Sequence, residues 1–339
     1  MTAYFIRRFL LIIPTFIGIT LMVFVITRFV PGGPIERMIA KAQQAQSTMP
    51  GSFDRSSGSP LSEEQLNDLK RYYGFDKPIL VSYFLWLGKV VQFDLGISTR
   101  YYEPVWDIIK SKLPVSLFYG FWAMILTYTV CIPLGIIKAI KHRTAIDNST
   151  SVIVFVGYAI PNYVVAIILL ITFSSWLDLF PLGGFTSDEF DELTLGAQIW
   201  DVMYHSILPL IAYMAGSFAV MTFMMKNSLM DHLSSDFVRT AIAKGLSFKQ
   251  AVFRHAIRNS FIPLATHIGN NISLIFMGSY LVEKIFNIDG MGLLGLDSII
   301  ERDYPVVLGT LVISSLLFMI GNILSDICVA VVDPRVQFE

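Results

Sequence analysis

The stretch FLLIIPTFIGITLMVFVIT, Phe9 to Thr27, holds 19 consecutive uncharged residues between Arg8 and Arg28. At a rise of about 1.5 Å per residue such a helix covers about 28 Å, close to the roughly 30 Å hydrocarbon thickness of a bilayer. A cleaved leader ends in a small-residue site of the A-x-A kind; nothing similar follows Thr27, so this run is expected to be a retained membrane span.

Five further apolar runs follow, at about residues 115–137, 152–176, 206–225, 262–282 and 306–331, and none of them carries a Lys or Arg. Pro133, Pro161 and Pro209 fall in or near these runs as expected kinks, tolerated where neighbouring helices satisfy the freed carbonyl. Composition agrees: the 339 residues are 54% hydrophobic and only 15% charged, against roughly 25% charged in soluble domains. That leaves too little polar material to coat soluble surfaces and excludes intrinsic disorder. A net charge of −1 lacks the basic excess of a nucleic-acid binder. The two cysteines, Cys131 and Cys328, lie in apolar runs and read as buried hydrophobes rather than a disulfide framework. The expected fold class is an all-α, multi-pass membrane protein with six transmembrane helices.

Lys and Arg in short loops set orientation, whereas long loops cross regardless of charge. With the N-terminus inside, the inner set is Arg7, Arg8, Lys138, Lys141, Arg143, Lys226, Arg239, Lys244, Lys249, Arg254, Arg258 and Arg335, twelve residues. Apart from the long first loop, the outer set is Arg28, Lys284 and Arg302, three residues. The loop 177–205 carries Asp178, Asp188, Glu189, Asp191, Glu192 and Asp201 with no Lys or Arg. Both chain ends are therefore expected to be cytoplasmic.

The chain then divides into an N-terminus and first span (1–30), an extracytoplasmic loop (31–114), and a five-helix core (115–339) containing a cytoplasmic loop at 226–261. Within the first loop, STMPGSFDRSSGSP (Ser47–Pro60) is a Gly/Pro/Ser-rich linker. Ser62 and Gln65 form a capping-box pattern opening a helix that ends near Gly74. Residues 78–92, with Tyr83, Phe84 and Trp86, predict an aromatic helix too short to cross a bilayer.

The inner loop SSDFVRTAIAKGLSFKQAVFRHAIRNSFIPL, Ser234–Leu264, carries the functional signal. Ser235 or Asp236 caps a helix to about Lys244, Gly245 supplies a turn, and Ser247 with Gln250 forms a capping box for a second helix to about Asn259. Its mixture of apolar residues with Arg239, Lys244, Lys249, Arg254 and Arg258 suits either a basic element on anionic lipid or a docking element for a cytosolic partner.

The order Arg239-Thr240-Ala241, Lys244-Gly245-Leu246, Arg254-His255, Arg258-Asn259 and Ile262-Pro263 resembles the coupling-helix loop of ATP-binding-cassette (ABC) importer permeases of the dipeptide and oligopeptide class. RYYGFDKPI (Arg71–Ile79), DLGIS (Asp94–Ser98), KLPVSL (Lys112–Leu117), IPLGI (Ile132–Ile136), GMG (Gly290–Gly292), RDYPVV (Arg302–Val307) and DPR (Asp333–Arg335) extend the resemblance along nearly the whole chain. Within the class it is most similar to permeases of microcin C and peptide importers, on GGPIERMIA, GYAIPNY, DLFPLGGF, KNSLMD and SDICVAVVDPRVQFE.

The resemblance implies a type I importer permease fold in the bacterial inner membrane. Its partners would be a second, homologous permease as heterodimer, two ATPase domains and an extracytoplasmic substrate-binding protein. Arg239, Ala241, Lys244, Gly245, Leu246 and Phe248 would couple to the ATPase, with Asp326, Asp333 and Arg335 at the cytoplasmic end. ATP and Mg would bind the ATPase subunits, and this chain would carry no cofactor and no catalytic residue. The residues agree in one respect, since no phosphate loop is present: Gly88-Lys89 is followed by Val90 and lacks a glycine at 83.

An ion-coupled secondary transporter is the alternative, and a membrane scaffold a second. A carrier needs ionisable groups at mid-depth, and Asp326 and His267 both lie near the inner interface. His142, His205, His232 and His255 show no metal-ligand spacing. Asn270, Asn271, Ser273 and Asn322 are candidates either to line a substrate path or to bond between helices.

Overall fold

In lipid a single segment satisfies its backbone only as a helix. In a computed structural model that describes residues 2–29, 64, 67, 68, 71, 76–268 and 278–332, the described parts of the apolar runs are helical except at Ile160–Pro161 and Gly278–Ser279. The long helices are α1 (Thr2–Phe29), α3 (Val105–Ile140), α6 (Leu195–Leu233) and α12 (Tyr304–Val332). Each contains a stretch long and apolar enough to cross a membrane. At 36 and 39 residues, α3 and α6 extend about 54 and 58 Å, well beyond a bilayer core, so each carries its polar end out of the hydrocarbon. Pro114 and Pro133 in α3, and Pro209 in α6, are accommodated without ending those helices.

Pro161 behaves differently. The run expected as one span at 152–176 is two helices, α4 (Ala145–Ala159) and α5 (Asn162–Leu169, continuing as a π-helix over Leu170–Trp176), bent by 99°. The proline ring disfavours a helical conformation in the residue before it. Ile160 accordingly sits at φ −92°, ψ 121°, and the new helix starts on Pro161. The described residues thus hold four long apolar helices, or five spans if the bent pair counts as one. The run 262–282 is helical over 262–268, and its residues 269–277 lie outside the described set.

The shorter elements are α2 (Ile79–Val91), α7 (Asp236–Ala243), α8 (Phe248–Ala251), α9 (Ile257–Ser260), α10 (Tyr280–Ile285) and α11 (Met291–Ile300). The helix expected over 78–92 is α2. Of the helix expected after Ser62, Glu64, Asn67, Asp68 and Arg71 are helical, and its caps and the Ser47–Pro60 linker lie outside the described residues.

The chain forms two compact units, one of Met1–Leu10, Lys112–Leu294 and Leu316–Glu339, the other of Leu11–Ser111 and Gly295–Ser315. In the smaller unit α1, α2 and the start of α12 meet at Phe24, Tyr83 and Leu308. The buried Tyr83 hydroxyl exchanges a 2.9 Å hydrogen bond with Thr20 Oγ1 and donates to Ile17 O at 3.2 Å. Asp303 ties the following turn to the start of α12, accepting from Ser98 Oγ and from the Thr99 and Arg100 amides.

In the larger unit α4 and α5 pack on α6, and α10 on α5. Tyr119, Ala166, Leu208, Ala212, Val282, Phe286 and Ile288 make one buried cluster. Beside it, the buried Glu283 accepts from Tyr213 Oη (3.0 Å), Ser279 N (3.1 Å) and Leu293 N (2.6 Å). The Gly290-Met291-Gly292 motif makes this possible. A Cβ on Gly290 would meet the Glu283 carboxyl at 2.7 Å, and one on Gly292 the Tyr280 amide nitrogen at 2.8 Å.

Burial pushes the Glu283 carboxyl above its ordinary value of 4.5, and its hydrogen bonds pull it only part of the way back. A carboxyl whose folded pKa is raised favours folding at low pH, and that contribution is lost as pH rises through the folded value. Glu283→Gln should therefore flatten the fall in thermal stability of the purified protein as pH rises above the ordinary carboxyl value of 4.5. A parent and variant with parallel profiles would refute this.

Candidate functional site

The loop at 234–264, the candidate docking element, builds its caps and turn from its own sequence. Helix α7 ends in a paired C-cap: Leu246 N–H donates to Ala241 O at 3.2 Å and Gly245 N–H to Ile242 O at 2.9 Å. That pattern needs a left-handed residue after the cap, and Gly245 supplies it at φ +95°. Ser247 and Gln250 then make the reciprocal capping box, Gln250 N to Ser247 Oγ at 3.3 Å and Ser247 N to Gln250 Oε1 at 3.1 Å. The second helix differs from expectation. Between α8 and α9 the chain widens into a π-helix over Val252–Ala256, which turns Val252 and Ala256 inward while Phe253, Arg254 and His255 stay exposed.

The inner faces of these helices rest on a shared bed. Val238, Ala241, Ala251 and Ala256 are buried with Ala139 of α3, Met225 and Leu229 of α6, and Leu264. Leu246 packs against the same bed. Of the six residues the sequence singles out, Ala241 and Leu246 thus face inward, whereas Arg239, Lys244, Gly245 and Phe248 are exposed. Phe237, Ile242, Phe248 and Phe253 are exposed large apolar side chains on the same element. The outward face is therefore apolar knobs interleaved with basic residues, supported from behind by two of the long helices.

Beside this bed lies an ionic cluster the sequence reading overlooked. Asp147, near the start of α4, receives Lys226 Nζ of α6 at 2.7 and 2.9 Å and Lys138 Nζ of α3 at 3.1 Å. His142 Nδ1 lies 3.2 Å away, and the Arg143 amide donates to the carboxylate at 3.1 Å. Lys138 also donates to Asp147 O, Thr150 Oγ1 and Ser151 Oγ. Lys138 and Lys226 each precede or follow a bed residue directly, Ala139 and Met225, so the cluster pins α3, α4 and α6 next to the docking element. The sequence did hold a signal: Asp147 is the only acid between Asp107 and Asp178. The two lysines, counted above as inner-surface charges, are buried and paired.

Asp326 on α12 is half-buried, paired with Arg8 of α1 and accepting from Tyr4 Oη at 3.1 Å. Asn322 is half-buried on α12 and His267 half-buried in the 262–268 helix. Asn270, Asn271, Ser273, Asp333 and Arg335 lie outside the described residues.

Comparison with known proteins bears on this arrangement. Residues 131–338, which include the docking element, its bed and the ionic cluster, match the family described as binding-protein-dependent transport system inner membrane component. A peptidoglycan transport system permease protein YejB of Agrobacterium fabrum is 40% identical over 360 aligned residues, covering 100% of this chain and 99% of the relative. An inner membrane ABC transporter permease protein YejB of Escherichia coli O157:H7 is 39% identical with 100% of both chains covered. An oligopeptide transport system permease protein AppB of Bacillus subtilis is 34% identical, again over 100% of both. Similarity of that degree along the full length, joined to the family match over the docking element and its bed, means that this chain belongs to the binding-protein-dependent transport system inner membrane components.

Proposed function

We propose that this chain is one of two dissimilar permease subunits of an ATP-driven importer in the bacterial inner membrane. In this reading it makes six crossings with both ends in the cytoplasm, and its substrates are peptides or peptide-like compounds of the oligopeptide or microcin C kind. A binding protein delivers substrate outside. Two cytosolic ATPase subunits hold ATP and Mg, and one of them docks on the exposed face of α7 and α8 around Gly245. Their closure moves the bed, and with it α3 and α6, switching the path between its two sides.

The observation that carries this reading is the docking element itself: a rigidly capped helix pair whose outer face is exposed apolar and basic, and whose inner face rests on the ends of two long apolar helices. Names of relatives supply the substrate class, since permeases called oligopeptide and dipeptide transport proteins cover the whole chain at 34% and 31% identity. An ion-coupled carrier finds less support. Among the described residues Asp147, Glu283, Asp303 and Asp326, all buried or half-buried, each hold fixed partners, as structural groups do, and so do the half-buried Asp201, Asp297 and Glu301.

The test is uptake into liposomes containing the full complex with its binding protein. ATP-dependent accumulation of a labelled oligopeptide, unaffected by an uncoupler, is expected. Uptake driven by a proton gradient without ATPase subunits would replace this reading with the carrier.

A further inference from the structure

The smaller unit contains a cavity of about 620 Å³ bordered by the end of α1, by α2, by the turn at residues 94–97 and by the start of α12. That size falls within the roughly 300–1,000 Å³ typical of small-ligand sites. Among the described residues four cations line it, Arg28, Arg71, Lys77 and Lys89, against the carboxylate of Asp94, and Asp76 lies close enough to act on Arg28. Asp94 is already engaged, its Oδ1 accepting the Gly96 amide at 3.0 Å. Such an excess of positive charge stands out on a chain of net charge −1, and it selects an anion.

The walls add a second requirement. Phe24 and Trp86 lie 5.4 Å apart between ring centroids, and the Arg28 guanidinium sits 5.0 Å over the Phe24 ring. Phe84 and Leu85, also lining the cavity, are exposed at 61% and 52%. A bare inorganic ion would use the cations and leave this apolar surface wet. A ligand that is anionic at one end and apolar at the other would use both.

Position supplies the third element. Arg28 occupies the last turn of a 28-residue helix whose apolar part reaches from Ile6 to Phe29. A basic side chain at the end of a membrane-length helix lies at the level of lipid headgroups. Helix α2, too short to cross, exposes Leu80, Phe84, Leu85 and Val91, which suits an element lying along that interface with its apolar side chains in lipid.

We propose that this cavity binds an anionic phospholipid, with the phosphodiester among Arg71, Lys77 and Lys89 and the first acyl carbons against Phe24, Phe84, Leu85 and Trp86. The site shares no residue with the loop at 234–264 and holds whether or not the transport reading does.

The test uses the full chain within its purified complex, stripped of lipid in a neutral detergent and titrated with phosphatidylglycerol or phosphatidylcholine, bound lipid being counted by native mass spectrometry. Phosphatidylglycerol should be retained and phosphatidylcholine lost. Lys77→Gln with Lys89→Gln, both exposed, should weaken phosphatidylglycerol binding about tenfold or more, while Lys141→Gln leaves it unchanged. Equal retention of the two lipids, or a double variant that binds like the parent, would overturn the proposal. A second measurement needs no variant: phosphatidylglycerol binding by the parent should weaken as salt rises, because screening shortens the reach of the cations, and salt-independent binding would also overturn it. Inorganic phosphate is the competing source of the same chemistry. If it displaces phosphatidylglycerol as effectively as the lipid displaces itself, the site takes free phosphate and the lipid assignment fails.

Discussion

Asp147→Asn should be the most damaging single change in the larger unit, lowering stability by about 3–5 kcal/mol, because it removes the only carboxylate from between two buried ammonium groups. The two lysines should not suffer equally. Lys138 keeps a backbone carbonyl and the hydroxyls of Thr150 and Ser151. Lys226 makes its two bonds to the Asp147 carboxylate and is buried with no other acceptor among the described contacts. Adding Lys226→Met to the asparagine variant should thus recover more stability than adding Lys138→Met, since an apolar replacement of a whole buried pair is often close to neutral. Thermal unfolding of the three variants in detergent reads the order directly. An asparagine variant as stable as the parent, or the reverse order of rescue, would show that the cluster is not the clamp described.

Gly245→Val is expected to abolish most transport while leaving the chain folded in the membrane. No atom lies within 4 Å of a Cβ built on this glycine, so the substitution costs nothing in collisions. Its cost is conformational. At φ +95° the backbone is in a region that a β-branched residue occupies only as an outlier, and the left-handed conformation alone costs about 1–2 kcal/mol for an L-residue. The chain can relieve that strain by unwinding the paired C-cap, which re-aims α8 against α7 and removes the surface an ATPase subunit is proposed to grip. Asparagine tolerates the left-handed region better, so Gly245→Asn should retain several times more uptake than the valine variant. In the full complex the valine variant should hydrolyse ATP with uptake reduced at least about tenfold, a change of about 1.4 kcal/mol. Normal uptake by the valine variant would count against the coupling role of this turn.

Both predictions depend on how local and distant information divide in this chain. The turn at Gly245 was legible because every part of it is local. The capping box, the left-handed glycine and the hydrophobic pair Ala241–Leu246 fall within ten residues and are encoded by residue type. The π-helix at Val252–Ala256 was not legible, since the bed under it, from α3 and α6, selects which side chains turn inward. Pro161 was visible as a kink, but its sharpness, 99°, depends on what the two halves pack against. Pro133 and Pro209 sit in helices that continue through them. The same residue type thus gives a bend in one place and a continuous helix in two others.

The buried charges mark the boundary most clearly. By itself the sequence determined that the chain is helical and apolar in membrane-length runs, because hydrocarbon leaves the backbone no other local way to satisfy its hydrogen bonds. It also determined the capped turn around Gly245, whose bonds close over short distances along the chain. Only the tertiary structure decided that Lys138 and Lys226 meet on Asp147, that Glu283 sits in a cradle cleared by Gly290 and Gly292, and that Asp326 pairs with Arg8. Between Asp147 and Lys226, 79 positions separate the partners, and between Arg8 and Asp326 the whole membrane domain intervenes. A charge buried without its partner is prohibitively costly, yet nothing in local sequence names which distant residue the folded chain will bring to meet it.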